Sequence, residues 1–171
     1  MDRRHDCLTT RKEQVATARR PYAFTDSGLN NVWLVGIKYF TCPCGRVAAE
    51  IPAIKQLLEL IAKDLIEKPE ALTGEEVRFL RKRLGRKAKD FAAEIGIQPE
   101  TLSRIENGHV PVEQQTDKLV RATYVLSSES SLVSEMKKAL LGVMKEWRHS
   151  KSSARIVATV KNNEWQSRRA A

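Results

Sequence analysis

No stretch of this 171-residue chain approaches the roughly 20 apolar residues of a membrane span, and its amino terminus has no apolar signal core. The expected location is therefore the cytoplasm, in association with the nucleoid. Three cysteines do not make the disulfide framework of a small secreted domain. The three histidines, His5, His109 and His149, are scattered, and there is no phosphate-binding glycine loop, no His-Glu-x-x-His and no nucleophile elbow. An enzyme is not expected. What the chain has in excess is positive charge, +9 with a pI near 9.7, which favours a polyanionic partner.

The most informative stretch runs from residue 85 to residue 108. Phe91, Ala92 and Ile95 fall on one helical face, Gly96 can take the left-handed conformation that stops that helix, and Ile97 plugs the corner. A second helix starts at once. Pro99 suits its first turn, where a missing N–H has no intrahelical partner, and Leu102 and Ile105 supply its buried face before Asn107-Gly108 ends it. Gln98, Glu100, Thr101, Ser103 and Arg104 are left at the front or on the outer face, where a recognition helix needs polar groups to meet base edges. Upstream, Thr73-Gly74-Glu75-Glu76 is a capping box, followed by an apolar stripe of Val77, Leu80 and Leu84. Downstream, Leu119, Ala122, Val125 and Leu126 predict a further packing helix over 115–126.

This spacing, and above all Thr-Leu-Ser-Arg-Ile-Glu-Asn-Gly at 101–108, resembles the Xre or Cro/C1 class of helix-turn-helix proteins. The resemblance implies a DNA-reading role, with Arg104 on base edges and Gln98 and Asn107 anchoring the backbone. In that class the first motif helix opens with a Ser or Thr cap and a phosphate-holding Gln; here Lys87 and Ala88 stand instead. Arg81, Lys82, Arg83, Arg86, Lys87 and Lys89 form a run with no acid inside it, and Arg86, Lys87 and Lys89 can neutralise phosphate by charge. His109, just past Asn107-Gly108, reads as a loop or phosphate contact.

Residues 22–51 have another texture. Val32, Trp33, Leu34, Val35, Ile37, Tyr39 and Phe40 favour strands, with Gly28, Asn30, Asn31 and Gly36 as punctuation, and predict a small antiparallel sheet. Ile51-Pro52 then leads into an amphipathic helix carrying Ile54, Leu57, Leu58, Ile61, Ala62 and Leu65 and ending before Pro69. The order of β module, Cys-rich knuckle, Ile-Pro, helix and Xre-type domain resembles the MqsA-like antitoxin family, with Ser-Gly-Leu-Asn-Asn-Val-Trp-Leu-Val-Gly at 27–36 as the sharpest element outside the helix-turn-helix. The resemblance covers about residues 7–110 and implies transcriptional regulation as a homodimer and, in many members, binding of a toxin encoded alongside.

The family's zinc module uses two Cys-x-x-Cys pairs, whose four thiolates close a tetrahedron. Here the pairs are broken, because Thr10 stands where the partner of Cys7 belongs and Cys42-Pro43-Cys44 is one residue short. Either His5, Cys7, Cys42 and Cys44 still supply four ligands, or the module has lost its metal and the cysteines are small buried residues. The second reading is favoured, so no cofactor is expected.

In the carboxyl-terminal third, Leu132, Met136, Leu140, Leu141, Val143, Met144 and Trp147 recur at helical spacing, an apolar face too wide to leave in water. It can pack on the protein's own core, on a second copy or on a toxin. Residues 150–153 read as a linker, residues 154–161 as a strand, and Asn162-Asn163 before Trp165 as a turn; that strand needs a partner, which the amino-terminal sheet of the same chain or of another subunit would supply. Arg168, Arg169 and the basic residues among the first twenty (Arg3, Arg4, Arg11, Lys12, Arg19 and Arg20) read as flexible ends touching DNA loosely. The expected fold is α+β: a β module at 1–50, a connecting helix at 51–70, a helix-turn-helix domain at 71–126, and a helix and strand at 127–171 for dimerisation or partner contact. The expected function is that of a sequence-specific DNA-binding regulator, a homodimeric repressor on an inverted-repeat operator. The alternative is a type II antitoxin that neutralises a toxin by contact and regulates its own operon.

Overall fold

The computed structural model describes residues 11–148 and 154–170 and folds them as α+β. Five short strands come first: β1 (Lys12–Val15), β2 (Tyr22–Ala23), β3 (Val32–Val35), β4 (Lys38–Thr41) and β5 (Val47–Glu50). In β3 the alternation is the one a sheet with one covered face requires, with Val32 and Leu34 buried and Trp33 and Val35 half-buried on the other side. The strands do not form one sheet. β1, β4 and β5 make an antiparallel sheet in the order β1-β4-β5, while β2 and β3 belong to a second sheet completed from the far end of the chain.

That completion corrects three expectations. The carboxyl-terminal segment holds two strands, β6 (Arg155–Lys161) and β7 (Glu164–Ala170), joined through Asn162 at φ 50° and Asn163 at φ 65°. Two consecutive left-handed residues are what a tight hairpin turn needs, and asparagine tolerates them. β6 pairs in parallel with β3 of its own chain, Val32 opposite Ile156 and Leu34 opposite Ala158, so the order is β2-β3-β6-β7 and the sheet is mixed rather than purely antiparallel. Arg168 and Arg169 are therefore not a loose tail. The Arg169 guanidinium donates to the Asp64 carbonyl and lies 3.8 Å from Glu70. Arg11, Lys12, Arg19 and Arg20 also sit in ordered backbone, at β1 and a tight turn closed by Thr17 and Arg20; Arg3 and Arg4 lie outside the described residues.

Helix α1 (Ile54–Glu67) lies against β6 and β7 and buries Leu57, Ile61, Ala62, Leu65 and Ile66. The Trp165 indole N–H donates to the Pro52 carbonyl at 2.7 Å, fixing the entry to α1. Four helices follow: α2 (Gly74–Arg83), α3 (Ala88–Glu94), α4 (Pro99–Glu106) and α5 (Gln114–Ser127). Helix α6 (Val133–Glu146) then returns to pack on α1 and α5. The wide apolar face expected of α6 is spent mostly inside its own chain, since Met136, Leu140 and Val143 are buried; Leu141, at 67% exposure, is the member left in water.

The joint between α1 and the helix-turn-helix region is built from buried charge. Arg121, fully buried on α5, donates to the carbonyls of Leu65, Ile66 and Lys68 at 2.8 Å each, to that of Glu70 at 2.8 Å, and to Asp117 Oδ1 at 2.7 Å. The Leu65 and Ile66 carbonyls are among those that the last turn of α1 leaves without helical partners, and those of Lys68 and Glu70 belong to the segment that follows it. Asp117 Oδ2 in turn accepts from the Leu72 N–H at 2.6 Å. Beside it, Lys68 donates to Glu76 at 2.5 Å, both side chains nearly solvent-free, and burial lowers the Lys68 ammonium from its ordinary value while Glu76 pulls it back up.

Candidate nucleic-acid interface

Local sequence starts and stops each helix of the interface. Thr73 accepts from the Glu76 N–H at 3.3 Å and Glu76 accepts from the Thr73 N–H at 2.7 Å, a complete capping box at the start of α2. Helix α3 ends on Gly96 at φ 71°, with Gly96 N–H donating to Ala93 O (3.2 Å) and Ile97 N–H to Ala92 O (2.9 Å). Helix α4 ends the same way. Gly108, at φ 74°, donates to Ile105 O (2.9 Å) and His109 to Arg104 O (2.9 Å). Both are paired-bond closures that need a left-handed residue, and glycine supplies it at little cost. Pro99 opens α4 at its first position.

The two motif helices are held by a core of Phe91, Ala92, Ile95, Leu102 and Ile105, all buried. Helix α4 is also pinned to α2. The Glu106 carboxylate, 6% exposed, accepts from Arg81 Nε at 2.6 Å and from Arg81 Nη2 at 2.7 Å, a two-pronged charge-assisted pair. Arg78 donates to the Glu106 carbonyl and to Asn107 Oδ1 at 2.6 Å each. The helices approach so closely that a Cβ on Gly74 would meet the Ile105 carbonyl oxygen at 1.9 Å. Glycine is required there by packing.

This frame leaves one polar edge in water. Lys87, Lys89, Gln98, Glu100, Thr101, Ser103, Arg104 and His109 are exposed, and Pro99 is half-buried at the base of α4. Lys87, Lys89 and Arg104 make no ion pair among the described residues. Other site residues picked from the sequence are engaged within the chain. The Asn107 amide holds Arg78 with its oxygen and donates through Nδ2 to Ser103 O at 2.9 Å. Arg86 lies 3.2 Å from Glu94. The basic run is thus less uniform than its sequence implies, because Arg81 is taken by Glu106 and Arg86 by Glu94, acids that lie outside the run. Sequence alone does not mark Arg78, Glu106 and Gly74 as parts of this frame. The sequence signal for Glu106 is its place inside the Ile-Glu-Asn-Gly motif at 105–108.

The Cys42-Pro43-Cys44 knuckle is the tight turn between β4 and β5, with Cys42 buried and Cys44 exposed. Among the described residues no group of three or more His, Cys, Asp and Glu could hold a metal ion, and the other candidate ligands, His5 and Cys7, lie outside them. No helix of the described residues is long and apolar enough to cross a membrane.

Residues 77–116, from Val77 of α2 to Thr116 of α5, match the family model for the helix-turn-helix. Comparison with curated proteins and with solved structures gave no match. The segment carrying α3 and α4 is thus a helix-turn-helix of the Xre type, a DNA-binding module, in agreement with the motif spacing.

Proposed function

We propose that this chain is a sequence-specific transcriptional repressor that binds double-stranded DNA as a homodimer. The observation that carries the reading is α4 itself: Leu102 and Ile105 are buried and Glu106 is locked to Arg81, while Thr101, Ser103 and Arg104 point into water from the same eight-residue helix. A rigid helix with an unspent polar face is suited to major-groove entry. Arg104 reads a base, most simply guanine through O6 and N7, and Gln98 holds the backbone at the helix start. Lys87 and Lys89, at the start of α3, neutralise phosphates. Asn107 fixes the loop through Arg78 and so presents His109.

A helix this short covers too few base pairs for high specificity, which is why two copies are needed. Exposed leucines supply apolar area for self-association: Leu119 at 46% and Leu126 at 77% on α5, and Leu141 at 67% on α6. The test is selection of bound sequences from a random duplex library, followed by footprinting. The expected result is an inverted repeat with half-site centres roughly 34 Å apart, or a multiple of that spacing. A single asymmetric half-site bound by a monomer would overturn the dimeric reading, and recovery of no sequence at all would overturn specific binding. The antitoxin reading differs in its partner; co-purification with the product of an adjacent small reading frame separates the two.

A further inference from the structure

The mixed sheet has one face against α1 and one face open. Register assigns the open face: Trp33 lies opposite Val157, and Val157 opposite Arg168, while Arg155 precedes Val157 by two on the same side of β6. The Arg155 guanidinium sits over the Trp33 ring, 5.3 Å from its centroid, and is exposed. Neither Arg155 nor Arg168 has a carboxylate partner among the described residues. An arginine held on an indole keeps its charge and loses rotamer freedom, so it meets a phosphate with less ordering cost than a free side chain.

This face borders the helix-turn-helix across a shared cleft. A cleft of about 920 Å³ separates them, walled on one side by Asn31, Trp33 and Arg155 and on the other by residues 106–112, the end of α4 and its following loop. Two carboxylates line the cleft, Glu106 and the half-buried Glu75. Glu106 is neutralised by Arg81, and Glu75, on the first turn of α2, accepts from Asn30 at 3.5 Å. On the open sheet face the remaining acid is Glu164, opposite Lys161 at the far hairpin end.

From this adjacency and the two unpaired arginines, and resting on the DNA-binding reading above, we infer that the open face of the mixed sheet is a second DNA contact, with Arg155 and Arg168 on phosphates of the duplex that flanks each half-site. The recognition helix reads bases inside the site, and the sheet holds the backbone outside it. The carboxyl-terminal hairpin thus has a purpose beyond closing the sheet, since it sets both arginines on one sheet face and Arg155 on the cleft that His109 also lines.

The experiment uses the full chain and an operator recovered from a random duplex library. Hydroxyl-radical footprints and the salt dependence of binding are compared for the wild type, the double variant Arg155→Ala/Arg168→Ala and the double variant Arg155→Lys/Arg168→Lys. The wild type protects phosphates beyond the half-site. The alanine pair loses those outer protections, keeps the inner ones, and lowers the slope of log affinity against log salt by roughly 1.8, two phosphates at about 0.9 each. The lysine pair restores most of the slope. Identical footprints and slopes for wild type and the alanine pair, or equal loss of inner and outer protections, would overturn the inference while leaving the recognition helix in place. Failure to recover any operator would instead remove the reading on which it rests. Thermal melting checks that the alanine pair folds, as expected for two side chains on a solvent-facing sheet surface.

Discussion

The joint at residues 64–76 with 117–121 and the reading edge from Lys87 to His109 are both rich in charge, and they use it in opposite ways. In the joint, Lys68, Glu76, Asp117 and Arg121 are almost entirely out of water, and Arg121 alone satisfies four backbone carbonyls and a carboxylate. Along the reading edge, Lys87, Lys89 and Arg104 stand in solvent without an acid. The same residue types act as structure where partners saturate them and stay available to a ligand where nothing does. Substitutions in the joint should therefore change stability, and substitutions on the edge should change binding.

The largest effect is expected at Arg121. Replacing it with Ala leaves Asp117 buried without its cation and strips the end of α1 of its donors, which should lower the unfolding free energy by about 3–5 kcal/mol. Urea denaturation followed by circular dichroism measures it; a loss under about 1 kcal/mol would mean that the joint tolerates uncompensated charge and would break the contrast. Next is Gly74→Ala. The added methyl collides with the Ile105 carbonyl and must push α2 from α4, at a cost of about 1–3 kcal/mol, and operator affinity should fall with it because α4 shifts in its seat.

On the edge, Lys87→Ala and Lys89→Ala should each leave stability within about 0.5 kcal/mol of wild type. Each should lower the salt slope of binding by about 0.9, equally on operator and random duplex. A loss confined to the operator would assign these lysines to base reading. The smallest effect belongs to Asp64, the incompletely satisfied member of the joint. Its Oδ2 is buried without a partner, and burial pushes the carboxyl above its ordinary range, with Ser167 and Arg169 drawing it back. The folded state therefore takes up a proton before the unfolded state does. Stability contributed by this group is gained as pH falls through its raised value and is complete below 3.8. Asp64→Asn should abolish that gain and raise stability at neutral pH by on the order of 1 kcal/mol or less, measurable as a change in the pH profile of the urea midpoint.

What the sequence disclosed follows the same division. The capping box at Thr73 and Glu76, the glycine stops at Gly96 and Gly108 and the burial of Leu102 and Ile105 are local, decided within a few residues, and the spacing predicts each of them. The joint is not local. Arg121 reaches carbonyls more than fifty positions away, and an arginine in a helix with Leu119 and Leu126 gives no sign that it, rather than the leucines, is the buried residue. The parallel pairing of β3 with β6 spans most of the chain, so a strand in need of a partner could be read but not its register or the second strand beyond Asn163. At the interface the outward polar face of α4 was legible, whereas the engagement of Arg81, Arg86 and Asn107 within the chain depended on acids and donors supplied by other helices.

The most direct test of the central claim, that α4 reads bases through Arg104 from a frame fixed elsewhere, is the ratio of operator to random-duplex affinity for Arg104→Ala at one salt concentration. The account predicts unchanged random-duplex affinity, operator affinity weakened by about 1–3 kcal/mol, and relaxed preference at one position in each half-site. Equal weakening on both duplexes would make Arg104 a phosphate contact and contradict the claim.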